Sequence, residues 1–183
     1  MMKRALLNID YTNDFIATSG ALTCGEVGQN IENAVVAITK TFINNGEDII
    51  FAVDIHDEGD SYHPETKLFP LHNIRHTNGR LLYGQLQLMY EENQNRTNIH
   101  WLDKTRYSAF AGTNLDMMLR ARGIEEVILV GVCTDICILH TAVDLYNLGY
   151  RIVVMRDAVA SFNQAGHDWA LAHFEHTLGA KLR

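Results

Sequence analysis

Four side chains suited to acid–base or nucleophilic chemistry stand at the ends of predicted strands. Asp10 closes the first strand and Asp54 closes the second, whereas Lys104 follows the third and Cys137 follows the fourth. Open parallel sheets bind ligands at the carboxyl ends of their strands, so we expect all four on one edge. A thiol nucleophile needs a proton acceptor and benefits from a nearby cation. Asp10 and Lys104 supply both, and a helix start at Cys137 favours the thiolate.

Cys133 is the competing nucleophile in the same segment. It precedes the predicted helix, so its sulfur gains less from the helix dipole. Cys133 and Cys137 could instead form a redox pair, although the usual redox spacing is Cys-x-x-Cys. The residues alone favour Cys137 and leave a redox-sensing, non-enzymatic domain as an alternative.

A second group has the residue types and spacing of metal ligands. Asp54 and His56 stand two apart at a strand end and can direct both side chains toward one ion. Further donors in the following loop are His63, Glu65, His72 and His76. Imidazole and carboxylate ligands suit zinc, iron or manganese. The spacing predicts one divalent ion, with His63 and His76 as rivals for the ligand positions.

The elements that must position these residues alternate between short apolar runs and helical patterns. The strands are predicted over 4–10, 49–54, 98–102, 127–130 and 152–155, with a short sixth over 180–183. The second, fourth and fifth are apolar throughout, which is typical of strands covered on both faces. The βαβ rhythm predicts a mostly parallel sheet with right-handed crossovers.

Helix signals fill most of the connections. One helix is predicted between an Asn30 cap and Gly46, one opens at a Thr113-x-x-Asp116 capping box, one spans 137–148, and one follows an Asn163 cap. The stretch from 55 to about 95 breaks the rhythm. A connection that long is usually functional or disordered, and its histidines favour function.

Length and composition exclude several classes of protein. The 183 residues suit one domain over 1–183. The net charge of -7, without a basic run, argues against nucleic-acid or anionic-membrane binding. The longest apolar run is far shorter than the roughly 20 residues that span a bilayer. The 3 cysteines, without a secretory signal pattern, indicate a reducing cytoplasm.

Five segments of the chain resemble the isochorismatase-like cysteine hydrolases, and within them the nicotinamidases (pyrazinamidases). They are 8–15, 54–56, 63–72, 104–110 and 131–137. The family nucleophile stands two places after a Thr-Asp pair, which selects Cys137 over Cys133. The resemblance implies an Asp10–Lys104–Cys137 triad, an oxyanion site made by the backbone amides of Cys133 and Cys137, and a cis peptide before Cys133.

The same resemblance implies the fold and the ligands of the site. The fold would be a three-layer α/β/α domain with a six-stranded sheet in the order 3-2-1-4-5-6. The context around Glu65 matches relatives with one carboxylate in place of a histidine. The implied metal ligands are Asp54, His56, Glu65 and His72, with His63 as the substitute; the implied ring contacts are Phe15, Phe69 and Tyr107. The ion would be zinc, with iron or manganese as alternatives.

The implied activity is hydrolysis of nicotinamide, or pyrazinamide, through a cysteine thioester, in NAD salvage. A cytoplasmic homo-oligomer is expected. The alternative is another amidohydrolase of the family that acts on a ureido or carbamoyl compound and needs no ring-binding metal. Arg75 and His76 depart from the smaller residues that relatives carry before Gly79, and their role is open.

Overall fold

A parallel six-stranded sheet forms the centre of the protein in a computed structural model that describes residues 2–183. The strands are β1 (Arg4–Ile9), β2 (Asp48–Asp54), β3 (Ile99–Lys104), β4 (Glu126–Val132), β5 (Arg151–Ala160) and β6 (Lys181–Leu182). Their order is β3-β2-β1-β4-β5-β6, and every neighbouring pair is parallel. The predicted fold class and strand order are confirmed.

Helices cover both faces of this sheet. They are α1 (Asn13–Ile16), α2 (Glu26–Asn30), α3 (Glu32–Asn45), α4 (Gln85–Asn93), α5 (Leu115–Ala121), α6 (Leu139–Asn147) and α7 (Gln164–His176). Consecutive strand residues point to opposite faces, so Leu6 and Leu7 belong to different buried clusters. Helices α5, α6 and α7 pack on the face of Leu7, and α1, α3 and α4 pack on the face of Leu6. The three layers match the prediction.

Several element boundaries differ from those predicted. β4 and β5 are longer than predicted, because Glu126 pairs with Arg151 at one end and the pairing continues through Gly131–Val159 and Val132–Ala160 at the other. The predicted Thr113-x-x-Asp116 capping box is wrong: Asn114 precedes α5, and the Thr113 hydroxyl accepts from the amide of Leu115. The Gly46 stop of α3 and the Asn163 cap of α7 are confirmed.

The helix predicted over 137–148 begins differently from the pattern. A single π-helical turn, Thr134–Ile138, precedes α6. It forms because the amide of Ile138 donates to the carbonyl of Cys133, five residues earlier, which is the spacing of a π-helix. Cys137 therefore lies inside this turn and not at the first residue of an α-helix.

The long connection after β2 is folded back toward the strand end. It contains 3-10 turns at Pro64–Lys67 and Asn78–Arg80 as well as α4. His56 pairs with Ile74 in an isolated parallel bridge, through the amide of His56 to the carbonyl of Asn73 and the amide of Arg75 to the carbonyl of His56. This bridge returns the segment around His72 to the end of β2.

Apolar segments long enough to cross a bilayer are absent from the helices of residues 2–183.

Candidate active site

Strand register brings the predicted chemical residues to one edge of the sheet. Asp54 and Lys104 are paired directly across β2 and β3. Ile9, the last residue of β1, pairs with Ala52 on one side and with Gly131 on the other. Asp10 follows it, so its side chain lies between the ends of β2 and β4.

Lys104 is the residue that joins these groups. Its Nζ is 2.7 Å from Oδ2 of Asp10, 3.5 Å from Oδ1 of Asp54 and 3.7 Å from Sγ of Cys137. Burial lowers the pKa of Lys104, but the carboxylates of Asp10 and Asp54 outweigh it and hold that pKa well above its usual range. The ammonium therefore stays charged beside the thiol.

Asp10 is held in place by the neighbouring strand. Its backbone has a φ of +54°, and its Oδ1 accepts from the amide of Asp54 at 2.7 Å. Burial raises the pKa of Asp10, while the ammonium of Lys104 opposes the rise. A carboxylate with a raised pKa is suited to accept a proton.

Cys137 is buried, and burial raises the pKa of its thiol well above the usual value, with Lys104 acting in the opposite direction. The raised pKa favours the protonated thiol, as the need for a proton acceptor implied, and the stabilisation of the thiolate expected from a helix start does not dominate. The physical reason is that desolvation of the sulfur outweighs the nearby positive charge. Nucleophilic attack from Cys137 thus requires proton transfer to a base.

The segment before Cys137 has an unusual backbone. The peptide bond between Val132 and Cys133 is cis, as the family resemblance implied. Gly131 has a φ of +113°, and a Cβ there would lie 2.0 Å from the carbonyl oxygen of Ile9. Only glycine lets β4 end this close to β1.

The sulfur of Cys133 contacts another cysteine instead of Cys137. Its Sγ is 3.5 Å from that of Cys24, and all three cysteines are free and buried. The contact with Cys24, together with burial, raises the pKa of Cys133 well above its usual value. Because the sulfur of Cys133 contacts Cys24 and not Cys137, the structure weakens the alternative in which Cys133 and Cys137 form a redox pair.

The ligand group Asp54, His56, Glu65 and His72 is buried, and one donor atom from each lies within 4.8 Å of the others. Nε2 of His56 is 2.6 Å from Oδ2 of Asp54, and Nε2 of His72 is 3.4 Å from the same oxygen and 3.6 Å from Oε2 of Glu65. Nε2 of His72 and Oδ1 of Asp54 are buried without a hydrogen-bond partner among the described residues. Such orphaned polar atoms indicate a missing ligand, and two imidazoles with two carboxylates suit a divalent ion.

The charges of this group also favour a cation. Burial lowers the pKa of His72, but Asp54 and Glu65 outweigh burial and raise it to about 10. Either a proton on His72 or a bound metal ion would offset the negative charge of Asp54 and Glu65.

His63 lies beside the ligand group and not within it. Its ring centroid is 4.1 Å from that of His56, and its Nδ1 accepts from the amide of Glu65. His76 and Arg75 are exposed, and Arg75 pairs with Asp57 at 2.6 Å. Arg75 and His76 therefore face the surface.

A small cavity opens onto the sulfur of Cys137. The three aromatic residues predicted as ring contacts, Phe15, Phe69 and Tyr107, line it together with Glu65 of the ligand group. The other lining residues are Leu22, Cys133, Ile136 and Phe162. Sequence reasoning missed Leu22, Ile136 and Phe162; only Ile136, inside the cysteine motif, carried a signal. Its lining is mostly aromatic and aliphatic, with the carboxylate of Glu65 and the thiols of Cys133 and Cys137 among its polar groups.

Comparison with known proteins agrees with this architecture. The isochorismatase domain family matches residues 4–182. The chain is 60% identical to an isochorismatase family protein of Bacillus subtilis, PncA, over 99% of each chain. It is similar to the crystal structure of nicotinamidase/pyrazinamidase PncA from Bacillus subtilis, with a TM-score of 0.98, 56% identity and 99% of both chains covered.

A more distant similarity is to a protein whose structure contains a metal ion. The pyrazinamidase of Pyrococcus horikoshii, solved in complex with zinc, matches with a TM-score of 0.84 at 27% identity, covering 99% of this chain and 98% of that one.

Proposed function

The chain belongs to the isochorismatase family, and within it we propose that it is a nicotinamidase, which converts nicotinamide and water to nicotinate and ammonia. One observation carries the proposal: Nζ of Lys104 contacts Asp10, Cys137 and Asp54 at once. The proposed catalytic residues therefore lie directly beside the candidate metal ligands. The similarity to the crystal structure of nicotinamidase/pyrazinamidase PncA from Bacillus subtilis, at 56% identity, supports the same activity.

The first half of the reaction forms a thioester. Asp10 takes the proton from Cys137, and the sulfur attacks the carboxamide carbon. The charge of Lys104 offsets the repulsion between the carboxylate and the developing thiolate. The backbone amides of Cys133 and Cys137 hold the tetrahedral oxyanion, for which one donor is worth roughly 3–4 kcal/mol.

The second half releases both products. Asp10, now protonated, gives its proton to the departing ammonia. It then acts as base again for the water that hydrolyses the thioester, and the thiol of Cys137 is restored. Lys104 keeps Asp10 oriented through both halves.

The ligand group gives the site its preference for a pyridine ring. Asp54, His56, Glu65 and His72 would hold the ion, and zinc is the best fit to their donor chemistry. A bound ion of this kind supplies an open position for an aromatic nitrogen. Phe15, Phe69 and Tyr107 would pack against the ring and orient its carboxamide toward Cys137. Ureido and carbamoyl substrates have no ring nitrogen, so the ligand group favours nicotinamide over them.

The experiment is a comparison of kcat/KM for nicotinamide, pyrazinamide and benzamide. Benzamide has nearly the shape of nicotinamide but carries carbon in place of the ring nitrogen. A site built around a polar contact rejects an analogue that lacks it by about 10⁴-fold. We expect turnover of the first two amides and strong rejection of benzamide. Comparable values for all three would remove the support that the ligand group gives to a nicotinamidase.

A role in NAD salvage follows from nicotinate as product. That role, a cytoplasmic location and self-association stay predictions.

A further inference from the structure

The loop formed by residues 133–137, called here the nucleophile loop, has two sides. Cys133, Ile136 and Cys137 line the cavity on one side. Thr134 and Asp135 are absent from that lining. The side chain of Thr134 contacts His167 in the first turns of α7, and that of Asp135 contacts Ser161, which follows β5. The side of the loop that faces away from the cavity is thus held by contacts with α7 and with the residue after β5.

The carboxylate of Asp135 is hydrogen-bonded at one oxygen and lies against α7 with the other. Its Oδ1 accepts from the hydroxyl of Ser161 at 2.6 Å, and that hydroxyl accepts in turn from the amide of Asn163. Its Oδ2 lies against Gly166, where a Cβ would come within 1.9 Å of it. Gly166 therefore leaves the room that this carboxylate occupies.

The start of α7 is a firm anchor for this contact. The helix has 13 residues, and its cap, Asn163, accepts from the amide of Gly166 at 3.1 Å. A carboxylate at a helix N-terminus is favoured by the helix dipole. A second tie lies beside the first, because Oγ1 of Thr134 is 2.8 Å from Nδ1 of His167.

We infer that Asp135 is a positioning residue for the proposed hydrolysis: by fastening the nucleophile loop to α7, it holds the amides of Cys133 and Cys137 where the oxyanion forms. The inference rests on the proposed function, and it adds a role for Asp135 that does not involve contact with substrate. Since the oxyanion exists only after attack, loosening this tie should weaken the transition state more than the bound substrate.

Three substitutions loosen the tie in different ways. Ser161→Ala removes the hydroxyl that donates to Asp135, Asp135→Asn places an amide group in the carboxylate position, and Gly166→Ala displaces the carboxylate with a methyl group. We expect kcat for nicotinamide to fall by about 10–100-fold in each, because displacement of an oxyanion donor costs rates of this order. KM should change by less than about twofold, since the cavity lining is retained.

Two ligands separate positioning from general damage. Pyridine-3-carbaldehyde adds to the thiol of Cys137 and forms an oxyanion at the same place, so its Ki should rise in step with the loss of kcat. Nicotinate forms no such oxyanion, so its Kd should stay within about twofold. The matched control is Asp168→Asn, which makes the same chemical change on α7. Asp168 is exposed and accepts a hydrogen bond from the side chain of Gln164. This variant should behave like the wild type.

A third measurement needs no turnover. Hydrogen exchange at the amides of Ile136 and Ile138, which both bond to the carbonyl of Cys133, should be faster in the three variants than in the wild type and Asp168→Asn. Ser161→Ala is the mildest change and keeps the test informative if Gly166→Ala does not fold.

The outcomes decide between distinct explanations. Lost kcat with constant KM, weaker aldehyde binding and faster exchange support the positioning role. Unchanged kcat, or losses confined to KM and nicotinate binding, overturn it. If the wild type releases no ammonia from nicotinamide, the proposed function fails; faster exchange in the variants would then still support the tie to α7, and equal exchange would overturn it.

Discussion

The sulfur of Cys137 lies 3.7 Å from the ammonium of Lys104, yet burial keeps its pKa high. In the proposed mechanism, turnover therefore depends on Asp10 as the acceptor of the proton from the Cys137 thiol. We expect Cys137→Ala to lower kcat by roughly 10⁴-fold or more. Cys133→Ala should keep most activity, because Cys133 would contribute its backbone amide.

Ammonia release from nicotinamide measures both variants, and circular dichroism checks that each is folded. Activity retained by Cys137→Ala and lost by Cys133→Ala would reverse the assignment of the nucleophile.

Metal content tests the choice between Glu65 and His63. Glu65 belongs to the ligand group, whereas His63 stands outside it with Nδ1 engaged by the amide of Glu65. We expect Glu65→Ala to lose bound metal and activity together, and His63→Ala to retain the ion. Elemental analysis of the purified variants gives the stoichiometry. Full occupancy in Glu65→Ala with loss in His63→Ala would make His63 the fourth ligand.

The sequence identified the residues of the site better than their electrostatic state. Asp10, Lys104 and Cys137 were predicted from strand ends, and the structure brings them together; their catalytic roles stay predictions. The high pKa of the Cys137 thiol was missed, because burial depends on packing from distant parts of the chain. Leu22 and Phe162 were missed because each lies in a loop without periodicity.

At the level of elements, an ion pair joins the first residue of β1 to the residue before β2. The guanidinium of Arg4 contacts both carboxylate oxygens of Glu47, at 2.6 and 2.7 Å. Hydrogen bonding to Arg4 lowers the pKa of Glu47 in the folded protein below its ordinary value of 4.5. The pair therefore stabilises the fold above about pH 4.5, and this contribution is lost as the pH falls through the lower, folded-state pKa.

We expect Glu47→Gln to lower the free energy of unfolding by about 0.5–1 kcal/mol at pH 7, and by much less at pH 3.5. Urea unfolding at the two pH values measures the difference. Glu92→Gln, at an exposed residue of α4, is the control and should change little at either pH. An equal loss for Glu47→Gln at both pH values would show that the carboxylate charge is not responsible.

Strands were predicted more reliably than helices for a physical reason. Buried strands such as β2 and β4 are continuous apolar runs, whereas α4 buries only Leu86 and Asn93 and so has almost no periodic pattern. The short α1 and α2 were also missed. The π-helical turn was beyond prediction because it depends on one backbone hydrogen bond, from the amide of Ile138 to the carbonyl of Cys133, that no side-chain pattern signals.

At the scale of the whole molecule, the two tryptophans report on opposite layers. Trp101 of β3 packs against Tyr90 of α4, with ring centroids 5.0 Å apart, and Trp169 of α7 stacks on His173 at 4.8 Å. The single domain over 1–183 stays a prediction, and it requires both layers to unfold together. We expect Trp101→Phe and Trp169→Phe, each with one remaining fluorophore, to show urea transitions that coincide with their own circular dichroism. Two separated transitions in either variant would divide the chain into independent units.

The central place of β1 in the sheet has a consequence for the growing chain. β1 leaves the ribosome before the other strands. One of the two strands that pair with it, β4, is synthesised much later, since Arg4 pairs with Glu126. At about 5–20 residues per second, β1 waits on the order of ten seconds for that neighbour. The chemical groups emerge in the order Asp10, Asp54, Lys104 and Cys137. The proposed nucleophile is thus synthesised last, after the groups that would control its charge, so a chain interrupted before residue 137 carries those groups without the thiol that they would serve.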